Sequence, residues 1–106
     1  MHVRLDGSKW MDRALAPGTL FLFSGYAVVH EKLYIMGGHV GNSYVHEYDP
    51  QKDTWKVRSE MPLTRDRFSI AVLENRLYAI GGQNTDSGWP LYSSVERYDP
   101  EKDLWE

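Results

Sequence analysis

Cysteine is absent from the 106 residues. That absence removes disulfides, thiol nucleophiles and thiolate metal sites together. It fits a reducing compartment, and we expect a cytoplasmic protein. An excess of positive charge is also missing. The net charge is −3, so neither nucleic acid nor an anionic membrane is expected as a partner. Long hydrophobic runs are missing too. The longest apolar-rich stretch, "TLFLFSGYAVV" from Thr19 to Val29, falls far short of the roughly 20 residues that a membrane helix needs. The first ten residues, "MHVRLDGSKW", contain no apolar segment of a secretory signal. There is no Asn-x-Ser/Thr sequon and no stretch of helical periodicity. What the chain has in quantity is aromatic: four Trp and seven Tyr.

Catalytic and cofactor signatures are equally scarce. No nucleophile elbow is present, and without cysteine no Cys/His pair exists. His30, His39 and His46 invite a zinc reading. Their spacings do not match common ligand spacings, and we expect solvent or rim histidines. "GGHVGN" holds three glycines, but it lies between two strand-like segments. A phosphate-cradling loop must open a helix, so that reading fails. No cofactor and no metal is expected, and the chain is not expected to be an enzyme.

A repeat organises what remains. "LYIMGG" at 33–38 returns as "LYAIGG" at 77–82. "VHEYDPQKDTW" from Val45 to Trp55 returns as "VERYDPEKDLW" from Val95 to Trp105. Gly37 and Gly81 are 44 residues apart, and Tyr48 and Tyr98 are 50 apart. The second unit therefore carries six extra residues in the segment "QNTDSGWPLYSS", whose composition marks a loop. A conserved frame with variable loops is the usual form of a repeat array. A weaker echo, "RLDGSKW", ends at Trp10, 45 residues before Trp55.

Each unit reads as four antiparallel strands. In the second, β-branched and aliphatic residues suggest strands over 68–73 and 77–80, with a polar turn at Glu74-Asn75-Arg76. The first unit has the matching turn at His30-Glu31-Lys32. "YVHEYD" and "SVERYD" supply a third strand, "DPQKD" an Asp-Pro turn, and a fourth strand begins near Trp55. Alternation puts Val45, Glu47 and Asp49 on one face and Tyr44, His46 and Tyr48 on the other. Glu47, Glu96, Lys52 and Lys102 are expected to be ordinary solvated charges.

An apolar strand ending in Gly-Gly, then Tyr-Asp-Pro, then Trp, twice in order, resembles the kelch repeat. The resemblance covers the chain from about Leu20 onward. It implies an all-β fold: a partial β-propeller of two kelch blades, each of four antiparallel strands, with a remnant of a preceding blade. The expected divisions are 1–14 for that remnant, 15–60 for the first repeat and 61–106 for the second, truncated in its last strand. Gly37, Gly38, Gly81 and Gly82 would let the backbone leave the strand sharply and let an aromatic approach. Tyr48, Tyr98, Trp55 and Trp105 are the expected fillers. Arg65 in "PLTRDRF" matches the arginine at the start of the family's innermost strand, and Phe21 takes that place in the first repeat, which breaks the pattern. Propellers usually close with about 4 to 8 blades. We therefore expect a piece of a longer protein, or a chain that self-associates to complete the ring.

A hairpin places the loop after each Gly pair beside the start of the first strand. That brings Arg65, Asp66 and Arg67 near Gln83, Asn84, Trp89 and Tyr92. Arg, Trp and Tyr dominate interaction hot spots, and arginine grips a carboxylate with two prongs. The resemblance implies partner binding on this face by Arg67, with Arg65 and Asn84 beside it. The plainer alternatives are that Arg65 and Arg67 bond within the blade and that Trp89 folds onto its own loop. The resemblance to proteins that couple a BTB domain to kelch repeats implies a module that binds a protein partner: a substrate peptide for a cullin-type ubiquitin ligase, or a cytoskeletal protein such as actin. A piece of a propeller enzyme is the third reading. The copper oxidases of the family need a Cys-linked Tyr, which this chain cannot supply.

Overall fold

The computed structural model describes residues 2–3, 11–12, 24–38, 42–85, 88 and 91–106. Ten strands are seen among them, and all sheets are antiparallel. Strands β1 (His2–Val3) and β2 (Met11–Asp12) pair with each other alone. The first blade is the meander β3 (Gly25–Val29), β4 (Lys32–Met36), β5 (Val45–Asp49) and β6 (Thr54–Arg58). The second is β7 (Ser69–Leu73), β8 (Arg76–Ile80), β9 (Val95–Asp99) and β10 (Leu104–Trp105). This is the expected pair of four-stranded blades. Trp10 and Phe21 lie outside the described residues. The division of residues 1–14 from the first repeat stays a proposal.

The hairpin turns are one residue tighter than the sequence suggested. Lys32 pairs with Val29 and Arg76 with Leu73, so both belong to strands. The two-residue loops His30-Glu31 and Glu74-Asn75 have positive φ at every position, between 51° and 63°. That is the mirror-image turn whose twist matches a right-twisted hairpin.

The Asp-Pro turns are built identically. The Asp49 carboxylate accepts the N–H of Gln51 at 3.0 Å, and Asp99 accepts that of Glu101 at 3.0 Å. The turn then closes at Asp53 and Asp103, both left-handed, which accept the hydroxyls of Tyr48 at 2.7 Å and Tyr98 at 2.5 Å. The same tyrosines pack on Trp55 and Trp105, with ring centroids 4.9 and 5.0 Å apart. The repeated motif is thus a tyrosine fastened to its own turn and stacked on the next strand.

The core lies between the blades. Val29, Tyr34, Met36, Val45, Met61, Leu77 and Tyr98 are buried together, and the Tyr34 ring meets Tyr98 edge-on at 6.2 Å. Arg58 crosses the seam. It donates to the Tyr98 hydroxyl at 3.1 Å, to the Pro100 carbonyl at 2.6 Å and to Glu47 at 3.3 Å. Ser59 donates twice to Asp103, from its N–H to the carboxylate and from its hydroxyl to the carbonyl, and the Trp105 indole donates to the Ser59 carbonyl. Burial pushes both tyrosine hydroxyls well above their ordinary pKa. The adjoining carboxylates, Glu47 and Asp103, add to this, so both phenols remain donors.

The glycines make room for backbone and for Phe68. A Cβ on Gly37 would meet the Arg65 carbonyl at 2.6 Å and the Phe68 ring at 2.8 Å. A Cβ on Gly82 would meet the Phe68 Cβ at 2.6 Å and the Asp66 carbonyl at 2.7 Å. The expected fillers, Tyr48, Tyr98, Trp55 and Trp105, stack on one another instead, and the sequence reading overlooked Phe68. Gly82→Ala is therefore expected to cost about 2–4 kcal/mol, from left-handed strain plus overpacking. Gly88 has a similar φ of 84° but open space around it. Gly88→Ala should cost only the strain, about 1 kcal/mol. Urea melts followed by Trp fluorescence would separate the two, and equal losses would count against the close contact.

Candidate partner-binding face

The loop end of the second blade is assembled by an isolated bridge. Asp66 and Gln83 exchange backbone hydrogen bonds at 2.8 and 3.0 Å, and Gln83 bridges on to Leu91. Segment 65–67 therefore lies against the loop after Gly81-Gly82, as the hairpin geometry predicts.

Arg65 does not face a partner. It is 0% exposed. Its guanidinium donates to the Gly81 carbonyl at 2.6 Å, the Ser94 hydroxyl at 2.8 Å and Glu96 at 3.1 Å. The Tyr92 ring covers it, 5.2 Å from the guanidinium carbon. The plainer in-blade role accounts for it: a buried guanidinium has to be saturated with acceptors. Tyr92 is half-buried and shares that task. Glu96, expected to be solvated, is the counter-ion of Arg65. Glu47 is likewise buried, with Tyr34 and Arg58 on one carboxylate oxygen.

Arg67 differs. Its backbone is left-handed, with φ 53°, a conformation that ordinary side chains avoid. Its side chain is 34% exposed and donates to Asp66 at 2.7 Å and to the Thr85 hydroxyl at 3.2 Å. Asp66 is 1% exposed. Its second oxygen accepts the Thr85 N–H at 3.1 Å and hydroxyl at 2.7 Å. Gln83 is half-buried and donates through its side chain to Thr85. Asn84 is half-buried beside it. Trp89 lies outside the described residues. The face thus gathers Arg67, Gln83 and Asn84. Asp66 and Thr85 hold it together, and neither residue type announces that role in a sequence.

Burial alone would raise the Asp66 carboxyl. The Thr85 hydroxyl and N–H, with Arg67, outweigh it and hold the group below the usual carboxylate range. A carboxyl lowered in the folded state contributes its full stability above about pH 4, and that contribution is lost as pH falls through the lowered value. Asp66→Asn is expected to flatten the fall in stability between about pH 4 and pH 2. It should also cost about 2 kcal/mol at neutral pH. Urea midpoints across pH would show both. An unchanged acid limb would mean that the carboxylate is not what ties the loop down.

With this geometry in hand, known proteins give a consistent picture. A family model described as "Kelch motif" matches residues 21–62 and again 64–106. Kelch repeat and BTB domain-containing protein 13 of Homo sapiens is 42% identical over 89 residues, covering 79% of this chain and 19% of that protein. Beta-scruin of Limulus polyphemus is 31% identical over 101 residues, covering 95% of this chain and 10% of that protein. A solved structure described as "Structure of YjhT" superposes with a TM-score of 0.77 at 25% identity, covering 89% of this chain and 28% of the other. The chain spans only 10% to 19% of the length of the two curated relatives.

Proposed function

The chain belongs to the kelch-repeat family, whose propellers are protein-interaction modules, and on that premise we propose that its second blade holds a carboxylate-bearing segment of a protein partner. Arg67 grips the carboxylate, and Gln83 and Asn84 add hydrogen bonds. In a longer parent this module recruits substrates to a cullin-type ubiquitin ligase. The relatives named for a BTB domain beside their kelch repeats support that reading. A cytoskeletal scaffold is the competing assignment. The observation that carries the proposal is the backbone of Arg67. A residue in left-handed strain persists where its surroundings over-determine it, and such positions cluster at binding sites. Here an exposed guanidinium is held at the loop face by a buried carboxylate.

Fluorescence anisotropy with labelled Glu- and Asp-rich peptides tests this directly. Arg67→Ala is expected to weaken peptide binding at least tenfold, in line with the loss of a hot-spot arginine. Arg67→Gly removes the grip while relieving the backbone, so it should lose binding and keep its urea midpoint. Lys102→Ala, in the far turn, should change neither. Peptide affinity that survives Arg67→Gly would sink the proposal. Co-sedimentation with filamentous actin, unaffected by Arg67→Gly, would favour the scaffold.

A further inference from the structure

A second site lies at the opposite end of the blades, among the turns. Here a recess of about 320 Å³ opens between the two blades, bounded by His30, Lys32, Lys56, Arg58 and Glu101 with Tyr34 and Glu47 at its floor. Tyr34, Glu47 and Lys56 form one row across β4, β5 and β6. Lys32 is two residues from Tyr34 on the same strand, so it shares that face.

Two of these cations lack a counter-ion. The residue directly opposite Lys56 is Glu47, and such cross-strand pairs ordinarily neutralise each other. Glu47 is instead engaged by the Tyr34 hydroxyl at 2.7 Å and by Arg58 at 3.3 Å. Arg58 and Glu47 therefore cancel within the floor. Among the described residues, neither Lys32 nor Lys56 forms an ion pair. Arg58 is shared with Asp103 at 3.3 Å, and among the lining residues Glu101 is the one carboxylate left to set against Lys32 and Lys56, on a chain whose net charge is −3.

The repeat supplies an internal control. The second-blade positions matching Lys32, Glu47 and Lys56 are Arg76, Arg97 and Glu106. There the charges are neutralised within the blade: Arg76 pairs with Asp99 at 3.7 Å, and Arg97 pairs with Glu106. The unneutralised lysine pair is thus not a requirement of the blade. It is particular to the first repeat, at the recess between the two blades.

We propose that this recess binds a phosphate group, carried either by a small phosphorylated molecule or by a phosphorylated side chain of a peptide. A phosphate monoester brings close to two negative charges at neutral pH, which matches two ammonium groups. Lysine binds phosphate as a flexible point charge. Lys32 and Lys56 stand two strands apart and two residues out of row, about 12 Å, a span their side chains close by converging over Glu47. The volume leaves room for a phosphate and a small attached group. The site is independent of the Arg67 face and stands whether or not that face binds a peptide.

The 106-residue chain would be titrated with inorganic pyrophosphate and, separately, with a phosphoserine peptide. Amide chemical shifts around His30, Lys32, Glu47 and Lys56 would be followed. Saturable shifts are expected, weakening as salt is added. The double substitution Lys32→Gln with Lys56→Gln should weaken binding at least tenfold. The double substitution Lys52→Gln with Lys102→Gln, in the Asp-Pro turns, should leave it unchanged. Tighter binding of the phosphopeptide would identify a peptide source, and tighter binding of pyrophosphate a small molecule; both support the site. No saturable shift with either probe, or equal binding by the Lys32/Lys56 double variant, would overturn it.

Discussion

One guanidinium joins the two blades. Arg58 leaves the last strand of the first blade and donates to a hydroxyl and a carbonyl of the second, while holding Glu47 in its own sheet. A buried cation is costly unless it is paired and hydrogen-bonded, and removing one member of such a set strands the others. Here the set is large. Tyr34 donates to the carboxylate that Arg58 grips, Tyr98 donates to Asp103, and Asp103 accepts from Ser59. Burial works against the Arg58 charge, but Tyr98, Glu47 and Asp103 outweigh it and hold its pKa above the ordinary value. At the loop end of the same seam the Gly38 N–H donates to the Arg65 carbonyl at 2.8 Å.

The two repeats share a backbone and differ in charge. Gly pairs, mirror-image hairpin turns and Tyr-Asp turns superimpose in kind, because each answers a requirement of backbone geometry. The charged side chains beside these motifs answer no such requirement. There Glu47 is exchanged for Arg97 and Lys56 for Glu106. In a repeat array this is where individuality collects: the frame fixes the fold, and positions beyond it are free to make a site.

Local pattern and long-range contact were not equally legible in the sequence. Strands, turns and the matching of the units could be read because alternation, turn chemistry and repeat spacing are local signals. The one-residue shift at Lys32 and Arg76 arose because a two-residue turn leaves both free to pair. The fate of Arg65 could not be read. Its acceptors are the carbonyls of residues 16 and 29 positions away, brought to it by the pairing of β8 with β9. Glu47 and Glu96 were misjudged for the same reason: each looks like a surface charge until another segment of its blade delivers an arginine. Phe68 stood beside the motif, but one of the glycines it presses on, Gly37, belongs to the other blade.

Arg65 and Arg67 differ in what they bond and in how far they are buried. Both are arginines two residues apart at the start of one strand. Arg65 satisfies backbone carbonyls that no loop water can reach, so its replacement would unmake the blade's edge. Arg67 is partly exposed and donates to the side chains of Asp66 and Thr85, and its backbone occupies a region where glycine would be more comfortable. A bend alone would not require a guanidinium there, and a surface charge alone would not require the bend. Their coincidence, with Asp66 buried beneath to hold the head group and Thr85 to hold Asp66, is what a loop needs in order to present a cation at a fixed place. Fixing that place beforehand would lower the ordering cost of binding a partner, and it sets Arg67 apart from the blade's other left-handed residues, Glu74, Asn75 and Asp103, which lie in its turns.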